Sequence, residues 1–105
     1  MPSARTLMGV EFRYSGTLDM GLIVHKSVDI NISADIIEMI RRLIEKRSPV
    51  LMGACRDNPI KDSIGDLLLK YGHSPQFLSY VIPLLIEEGF CKASNRRPYT
   101  IMKTK

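Results

Sequence analysis

The sequence contains no tryptophan, and aromatic residues make up only 7% of its 105 residues. A core built from this chain must therefore consist mainly of isoleucine, leucine, valine and methionine, a mix that suits helices packed against a small sheet. Hydrophobic residues make up 45% and charged residues 25%, which is ordinary for a globular protein. The length predicts one domain over residues 1–105.

Features of secreted and membrane proteins are also scarce. The chain has two cysteines, Cys55 and Cys91, and no CxxC motif, and its size gives enough core to need no disulfide, so reduced thiols are expected. No apolar run approaches the roughly 18–20 residues of a membrane span, and the N-terminal stretch lacks the apolar region of a signal peptide. We expect a soluble, cytoplasmic protein with no membrane partner.

Motifs of catalysis and metal binding are missing as well. There is no Gly-rich phosphate loop, no HExxH and no G-x-S-x-G, and the adjacent Glu87 and Glu88 point to different sides of a helix. The cysteines, His25 and His73 are scattered without the spacing of metal ligands. We expect no enzyme, no cofactor and no metal, with Cys91 buried on a strand and His73 half-exposed in a turn.

Acidic residues are absent from the C-terminal end. The net charge is +4, and residues 91–105 contain five basic residues and no acidic one. An anionic partner is expected to meet this end first, whereas the alternative is a solvated basic tail. The basic positions are Lys92, Arg96, Arg97, Lys103 and Lys105.

The first third of the chain alternates between apolar and polar residues, as half-buried strands do. One run has its apolar positions at Met8, Val10, Phe12 and Tyr14. After the turn residues SGTLD, a second run places apolar residues on one face, and Lys26 interrupts it. The pattern predicts a β-hairpin within residues 1–32, whose second apolar face is Leu22, Val24, Val28, Ile30 and Ile32.

Capping residues then predict two helices. Ser33 is a favourable N-cap with Asp35 in the first turn, which predicts a helix over 34–47. Ser63 and Asp66 have a spacing like that of a capping box, and Gly72 is a natural end for a second helix. Between the two helices, residues 48–59 allow either a short helix or a short strand, VLM, followed by a loop.

A third helix is predicted from the stretch SPQFLSYVIPLLIEEGF. Ser74 and Pro75 open it, and it runs to Glu88 and stops at Gly89. Pro83 would cost about 3 kcal/mol in a regular helix interior, but it falls on the outer face, so we expect a continuous, bent helix. That outer face consists of Gln76, Ser79, Tyr80, Pro83 and Glu87, opposite a core face of Leu78, Val81, Ile82 and Leu85.

The phrase Leu85-Ile86-Glu87-Glu88-Gly89-Phe90 is followed by FCKASNRRPYTIMK, which reads as strand, turn and strand. Three helices followed by such a basic hairpin resemble the winged-helix superfamily over about Ser33–Lys103. The resemblance implies an α+β fold with a three-helix winged helix-turn-helix core over 33–105 and a C-terminal β-hairpin wing. The hairpin within residues 1–32 would be an additional N-terminal extension.

The resemblance implies a DNA-binding transcriptional regulator that uses helix 3 and the wing. Gln, Ser and Tyr side chains can contact bases, so Gln76, Ser79 and Tyr80 are the candidate readers. Exposed lysines and arginines of the wing can each neutralise a phosphate, which makes Lys92, Arg96, Arg97 and Lys103 the further candidates, with Lys105 beyond them. The alternatives are an ordinary exposed helix face and a solubilising strand edge.

Two more features bear on partners. Helix 3 is apolar beyond its core face at Phe77, Leu84 and Ile86, so either the N-terminal hairpin or a second subunit must cover it. A homodimer would place two wings on one duplex of DNA. The outer face of helix 3 has no Lys or Arg, which favours the alternative function, a winged-helix module that binds protein.

A second basic cluster lies in helix 1. It consists of Arg41, Arg42, Lys46 and Arg47. Pairing of Arg41 with Glu45 and of Arg42 with Glu38 along the helix would make it a solvated face rather than a binding surface.

Overall fold

The computed structural model describes residues 2–54 and 58–104. Over these residues the fold is α+β, with three α-helices and two antiparallel sheets. The first sheet has the strand order β1-β2-β3-β4. Its strands are β1 (Ser3–Arg5), β2 (Glu11–Thr17), β3 (Gly21–His25) and β4 (Ile30–Ile32).

The helices and the second sheet follow the first sheet in the chain. A 3-10 turn, Pro75–Phe77, leads directly into the last helix. The second sheet has the order β5-β7-β6, so β7 is central. The elements are α1 (Ala34–Arg47), β5 (Val50–Leu51), α2 (Ile64–Lys70), α3 (Leu78–Glu88), β6 (Cys91–Ala93) and β7 (Thr100–Lys103).

The predicted N-terminal hairpin is present as β2 and β3, but it is the middle of a larger sheet. The two strands pair from Arg13 opposite His25 to Thr17 opposite Gly21. Strand β1 adds to one edge and β4 to the other. Three residues are too few to show a period, so β1 and β4 were not separable from their neighbours by alternation alone.

The prediction that Met8 and Val10 face the core is wrong. Their exposed fractions are 62% and 59%. Residues 6–10 form the turn between β1 and β2, in which the Thr6 amide donates to the Val10 carbonyl and the Gly9 amide to the Thr6 carbonyl, both at 2.9 Å. The alternation is therefore real only from β2 onwards, where Phe12 is 5% exposed.

Val28 was also predicted to face the core and is 79% exposed. Residues 26–29 connect β3 to β4, so the second apolar run consists of two strands rather than one. Lys26, which interrupts the pattern, marks the end of β3. Leu22, Val24 and Ile32 do lie in the core, at 2%, 0% and 1% exposure.

Helix α1 has the predicted bounds and the predicted cap. The Ser33 hydroxyl accepts a hydrogen bond from the Ile36 amide at 3.3 Å. Ile37, Ile40 and Ile44 are fully buried along one face. Local chemistry and helical spacing were enough to place this element.

The segment after α1 forms a strand, so the short-helix alternative was wrong. Val50 lies opposite Ile101 and Leu51 opposite Thr100, which joins β5 to the edge of the C-terminal hairpin. The following amide, that of Met52, donates to the Tyr99 carbonyl at 2.9 Å. Cys55, the second predicted free thiol, lies outside the described residues.

Helix α2 is capped in a modified way. The Ser63 hydroxyl accepts from the Asp66 amide at 3.1 Å, as predicted. The Asp66 carboxylate accepts from the Asp62 amide at 2.8 Å, one residue before the cap, while the Ser63 amide donates to the Ile60 carbonyl. The hydrogen bond from the Asp62 amide is the largest cause that lowers the pKa of Asp66.

Helix α3 is continuous through Pro83, as predicted. The Ser74 hydroxyl accepts from the Gln76 amide at 3.2 Å and starts the 3-10 turn. At the other end Gly89 adopts φ 88°, and the amides of Gly89 and Phe90 donate to the carbonyls of Ile86 and Leu85. This is the αL ending that the position of Gly89 predicted.

One hydrophobic core includes residues from both sheets and all three helices. Ile32, Ile40, Leu68, Leu85 and Ile101 represent these five elements, and each is at most 1% exposed. The N-terminal sheet is thus packed into the same core as the helices. No helix in residues 2–54 or 58–104 has the length and apolar character needed to cross a membrane.

Two glycines allow a close approach between residues 52–54 and α2. The Gly65 amide donates to the Met52 carbonyl at 2.9 Å. A Cβ on Gly65 would lie 1.7 Å from the Gly53 carbonyl oxygen, and Gly53 itself has φ +64° with the Ser63 hydroxyl against it. Both positions therefore require glycine, which fixes this segment against α2.

We expect Gly65→Ala to destabilise the protein by about 1–3 kcal/mol, because the added methyl group meets a backbone oxygen. Helix propensity alone would instead stabilise it by roughly 0.5–1 kcal/mol, so the sign of the change is decisive. The free energy of unfolding from a urea titration measures it. Lys70→Ala, an exposed change in the same helix, is the control and should stay within about 0.5 kcal/mol.

Candidate nucleic-acid interface and an adjoining cavity

The basic C-terminal hairpin is a well-defined two-stranded unit. Cys91 lies opposite Lys103 and Lys92 opposite Met102. The Ser94 hydroxyl accepts from the Thr100 amide at 2.9 Å and closes the connection. Arg96 and Arg97 therefore lie at the tip, where the sequence predicted them.

The four predicted wing residues present their charge to solvent. Lys92, Arg96, Arg97 and Lys103 are all exposed. The four ion pairs found in the described parts of the chain include none of them. Exposed, uncompensated cations on one hairpin are what a polyanion requires. Lys105, the fifth basic candidate, lies outside the described residues.

Tyr80 does not lie on an outer face, so that prediction is wrong at this position. It is only 8% exposed. Its ring packs edge-on against Phe12 of β2, with 5.1 Å between centroids and 75° between planes. The Lys26 Nζ lies 5.3 Å from the centroid of the Tyr80 ring. The first sheet covers this face of α3, which the period of the helix alone did not indicate.

The other two helix candidates lie in different surroundings. Gln76 is exposed in the 3-10 turn before α3, whereas Ser79 is half-buried in α3 and borders a cavity. Gln76, Ser79 and Tyr80 therefore do not form one accessible surface. Within this trio, only Gln76 is exposed.

The apolar surface of α3 that called for a cover has one in the chain itself. Leu84 is 6% exposed. A second cavity of about 370 Å³ lies between it and Tyr14, Leu18 and Leu22 of the first sheet. The first of the two predicted covers, the N-terminal sheet, therefore faces α3 at Leu84, while Phe77 and Ile86 are half-buried against the core.

Arg41 forms an ion pair that crosses the fold. It donates to both carboxylate oxygens of Glu88 in α3, at 2.7 and 3.2 Å, rather than to Glu45 as predicted. Its guanidinium also lies 5.1 Å from the Phe90 ring centroid. The predicted pair of Arg42 with Glu38 is present at 3.4 Å.

This pairing shifts the pKa values of both Arg41 and Glu88. The hydrogen bond from Arg41 is the main cause that lowers the pKa of Glu88, and the same bond raises the pKa of Arg41. Arg41 is thus engaged inside the fold, and the α1 cluster is reduced as a phosphate-binding surface.

The scattered cysteine and histidine lie as predicted. Cys91 is buried on β6, and burial raises the pKa of its thiol to about 11, so it stays protonated at neutral pH. His73 is half-exposed in the turn before Ser74. Within the described residues, no group of three or more potential metal ligands comes together.

One group of polar side chains was not predicted from the sequence. The Ser15 hydroxyl lies 2.6 Å from His25 Nε2, and His25 Nδ1 lies 3.4 Å from Asp29 Oδ1. A hydroxyl, imidazole and carboxylate in this order are the parts of a nucleophilic site. Here they lie along the outer side of the first sheet, and neither cavity described for this fold includes any of them. They form a cross-strand network outside both of these cavities.

The larger cavity, about 790 Å³, lies beside the Phe12–Tyr80 contact. The turn between β1 and β2, residues 52–54, the start of α3 and the hairpin tip enclose it. Lys26, Ser79 and Arg97 contribute polar groups to it. Ser79 and Arg97 were predicted to contact DNA. Lys26 was noted only because it interrupts the alternating pattern of a strand.

The sequence carried a weak signal for this cavity. Met8, Val10 and Ile60 are exposed at 62%, 59% and 44%, and all three line it. Apolar residues within the first run read as a strand face, because nothing local shows that residues 6–10 turn. Only the tertiary fold brings them beside the hairpin.

Comparison of this chain with protein-family models, with curated proteins and with solved structures finds no match. Its function must therefore be argued from the residues and the geometry of the fold.

The ion pair of Glu88 predicts a pH dependence of stability. Because its pKa is lowered in the fold, the carboxylate stabilises the protein above the ordinary pKa of glutamate, and the gain is lost as pH falls through the lowered pKa. Since Glu88 is 44% exposed, we expect Glu88→Gln to cost only about 0.5–1 kcal/mol at pH 7.

The cost should fade below about pH 4, as measured by urea unfolding across the pH range. Glu87→Gln is the matched control, since Glu87 is exposed and joins no ion pair within the described residues. An identical pH dependence in the two variants would contradict the role of the Arg41 bond.

Proposed function

We propose that this protein binds double-stranded DNA through the β6–β7 hairpin, mainly by contacts to phosphates. The observation that supports this is the group of four exposed cations on one hairpin, in no ion pair within the described residues and with no acidic residue between Cys91 and the chain end. Phosphate contacts supply most of the affinity of such surfaces and depend little on sequence.

The order of elements supports a winged-helix arrangement for residues 34–104. Three helices are followed directly by a hairpin, and Gly89 ends the third helix before Phe90 leads into β6. Strand β5 adds a third strand beside β7. In this proposal the hairpin is the wing, and Arg96 and Arg97 at its tip reach the backbone or the minor groove.

Base reading has a minor role in this proposal. Tyr80 is covered by Phe12, and Ser79 faces the cavity. Gln76 is left as a reader, and one bidentate pair gives roughly 1–3 kcal/mol of discrimination. Affinity should therefore vary little between duplexes of equal length and unrelated sequence.

A homodimer stays a prediction. Two copies related by a two-fold axis would bring two wings to one duplex and double the number of phosphate contacts. Light scattering with and without duplex checks this, and the phosphate-binding proposal itself requires only one copy.

A protein-binding module is the second candidate. Its motivation was surplus apolar area on helix 3 at Phe77, Leu84 and Ile86, of which Leu84 is buried and the other two are half-buried. What supports it now is the exposed apolar group of Met8, Val10 and Ile60. These three residues surround a cavity rather than forming a flat patch, so they are only weak support for a protein-binding surface.

Salt dependence gives the sharpest test of DNA binding. If four phosphates are neutralised, log K for a labelled duplex should fall with log salt at a slope of about −3.6. Replacing Arg96 and Arg97 together by alanine should change the slope to about −1.8, because two phosphate contacts are lost. A fluorescence anisotropy titration at several salt concentrations measures both slopes.

The matched control is the double variant Arg5→Ala, Arg13→Ala. It removes the same charge from exposed positions on the first sheet, outside the hairpin. Its slope should stay near that of the parent protein. Absence of binding at low salt, or equal loss in the two double variants, would rule out the hairpin as the binding surface.

A further inference from the structure

The large cavity beside the hairpin has the dimensions of a ligand site. Its volume of about 790 Å³ falls within the roughly 300–1,000 Å³ of small-molecule pockets. It is half-enclosed by several parts of the chain that are distant in sequence. Its apolar wall includes Leu7, Met8, Val10, Met52, Ile60 and Tyr99.

Tyr99 fixes the geometry of this wall. Its hydroxyl donates to the Leu7 carbonyl at 3.4 Å, and its own carbonyl accepts from the Met52 amide at 2.9 Å. These two hydrogen bonds connect the hairpin to the β1–β2 turn and to residues 52–54, which form three parts of the cavity wall. A cavity with such ties is preformed, which lowers the cost of ordering on binding.

Exposed apolar side chains around this cavity have no cover within the described chain. Of the large apolar residues that are exposed, three line it: Met8 at 62%, Val10 at 59% and Ile60 at 44%. Burying such surface contributes roughly 25 cal/mol per Å². The apolar part of a ligand would therefore be stabilised here.

The polar groups of the cavity are mostly cationic. Lys26 lies over the Tyr80 ring at 5.3 Å, and Arg97 lines the cavity from the hairpin. Glu11 is the one carboxylate among the described lining residues, and no ion pair there joins it to either cation. Because the cavity is lined by two cationic side chains and only one carboxylate among the described residues, it favours an anionic ligand.

We propose that this cavity binds a small amphipathic anion, with an apolar chain or ring against Met8, Val10 and Met52 and an acidic group at Lys26 and Arg97. The acidic group is a carboxylate or an anion of similar size. Its site is distinct from the phosphate contacts of the hairpin, although Arg97 belongs to both. Binding of the anion does not require DNA and is measured without it.

Decanoate is the probe, used below the concentration at which it forms micelles. Decanol and decyltrimethylammonium carry the same chain without the charge and with the opposite charge. Isothermal titration should show saturable binding of decanoate, at least about tenfold tighter than of either analogue. In amide NMR spectra, the shifts should cluster at Leu7, Ser79 and Tyr99.

Two variants locate the acidic group and the chain. Lys26→Met keeps the length of the side chain and removes its charge, so decanoate affinity should fall about tenfold, while decanol is affected little. Ser79→Leu fills the cavity from α3 and should abolish binding of decanoate. The urea midpoint of each variant shows that it is folded.

Lys103→Met is the matched control, because it removes one cation from the same hairpin outside the cavity. It should leave decanoate affinity unchanged and lower DNA affinity. Equal affinity for decanoate and the quaternary ammonium, no saturation up to about 1 mM, or binding that survives Ser79→Leu would each overturn the proposal. Loss of DNA binding alone would count against the hairpin proposal and leave this one standing.

Discussion

The edge-on contact of Phe12 with Tyr80 determines how the two halves of this fold relate. It fastens the first sheet to α3 and buries both rings, to 5% and 8% exposure. An aromatic pair in this geometry adds about 0.5–1.5 kcal/mol beyond the area it buries. The same contact removes Tyr80 from solvent, leaves Ser79 at the margin, and forms one end of the larger cavity. The same contact therefore explains why α3 lacks the predicted base-contacting face and why a cavity lies beside it.

The basic residues of the chain divide according to their partners. Arg41 is held by Glu88 and by the Phe90 ring, so its charge serves the packing of α1 against α3. Lys26 lies over an aromatic ring. The hairpin cations have no acidic partner in the described residues, although Lys103 Nζ lies 5.6 Å from the Phe90 ring centroid, so their charges remain available to an anion. A net charge of +4 therefore says less about binding than the position of the unpaired charges.

What the sequence predicts well is chemistry that acts within three or four residues. Ser33, Ser63 and Ser74 accept hydrogen bonds from amides two or three residues ahead, so the starts of α1, of α2 and of the 3-10 turn before α3 were readable. Helix α3 itself begins at Leu78 rather than at Pro75 and has no side-chain cap. Strand pairing acts over long distances in the chain, and β5 joins β7 some fifty residues later. Nothing near Tyr80 indicates that Phe12 will cover it, because helical period shows which residues share a face and not what packs there. The candidate wing was local and readable, whereas the cavity is tertiary and was not.

Arg97 connects the two proposed sites. One guanidinium cannot be fully engaged with a ligand in the cavity and with a phosphate beyond the hairpin tip. If both proposals hold, the anion and DNA lower each other's affinity by the same factor, since coupling between two binding equilibria is reciprocal. With one shared charge contact, that factor is about tenfold. Such coupling needs no rearrangement of the helices, because the hairpin tip already borders the cavity through Arg97, Pro98 and Tyr99. A small change at this tip is therefore the shortest physical route by which a ligand would regulate the basic surface.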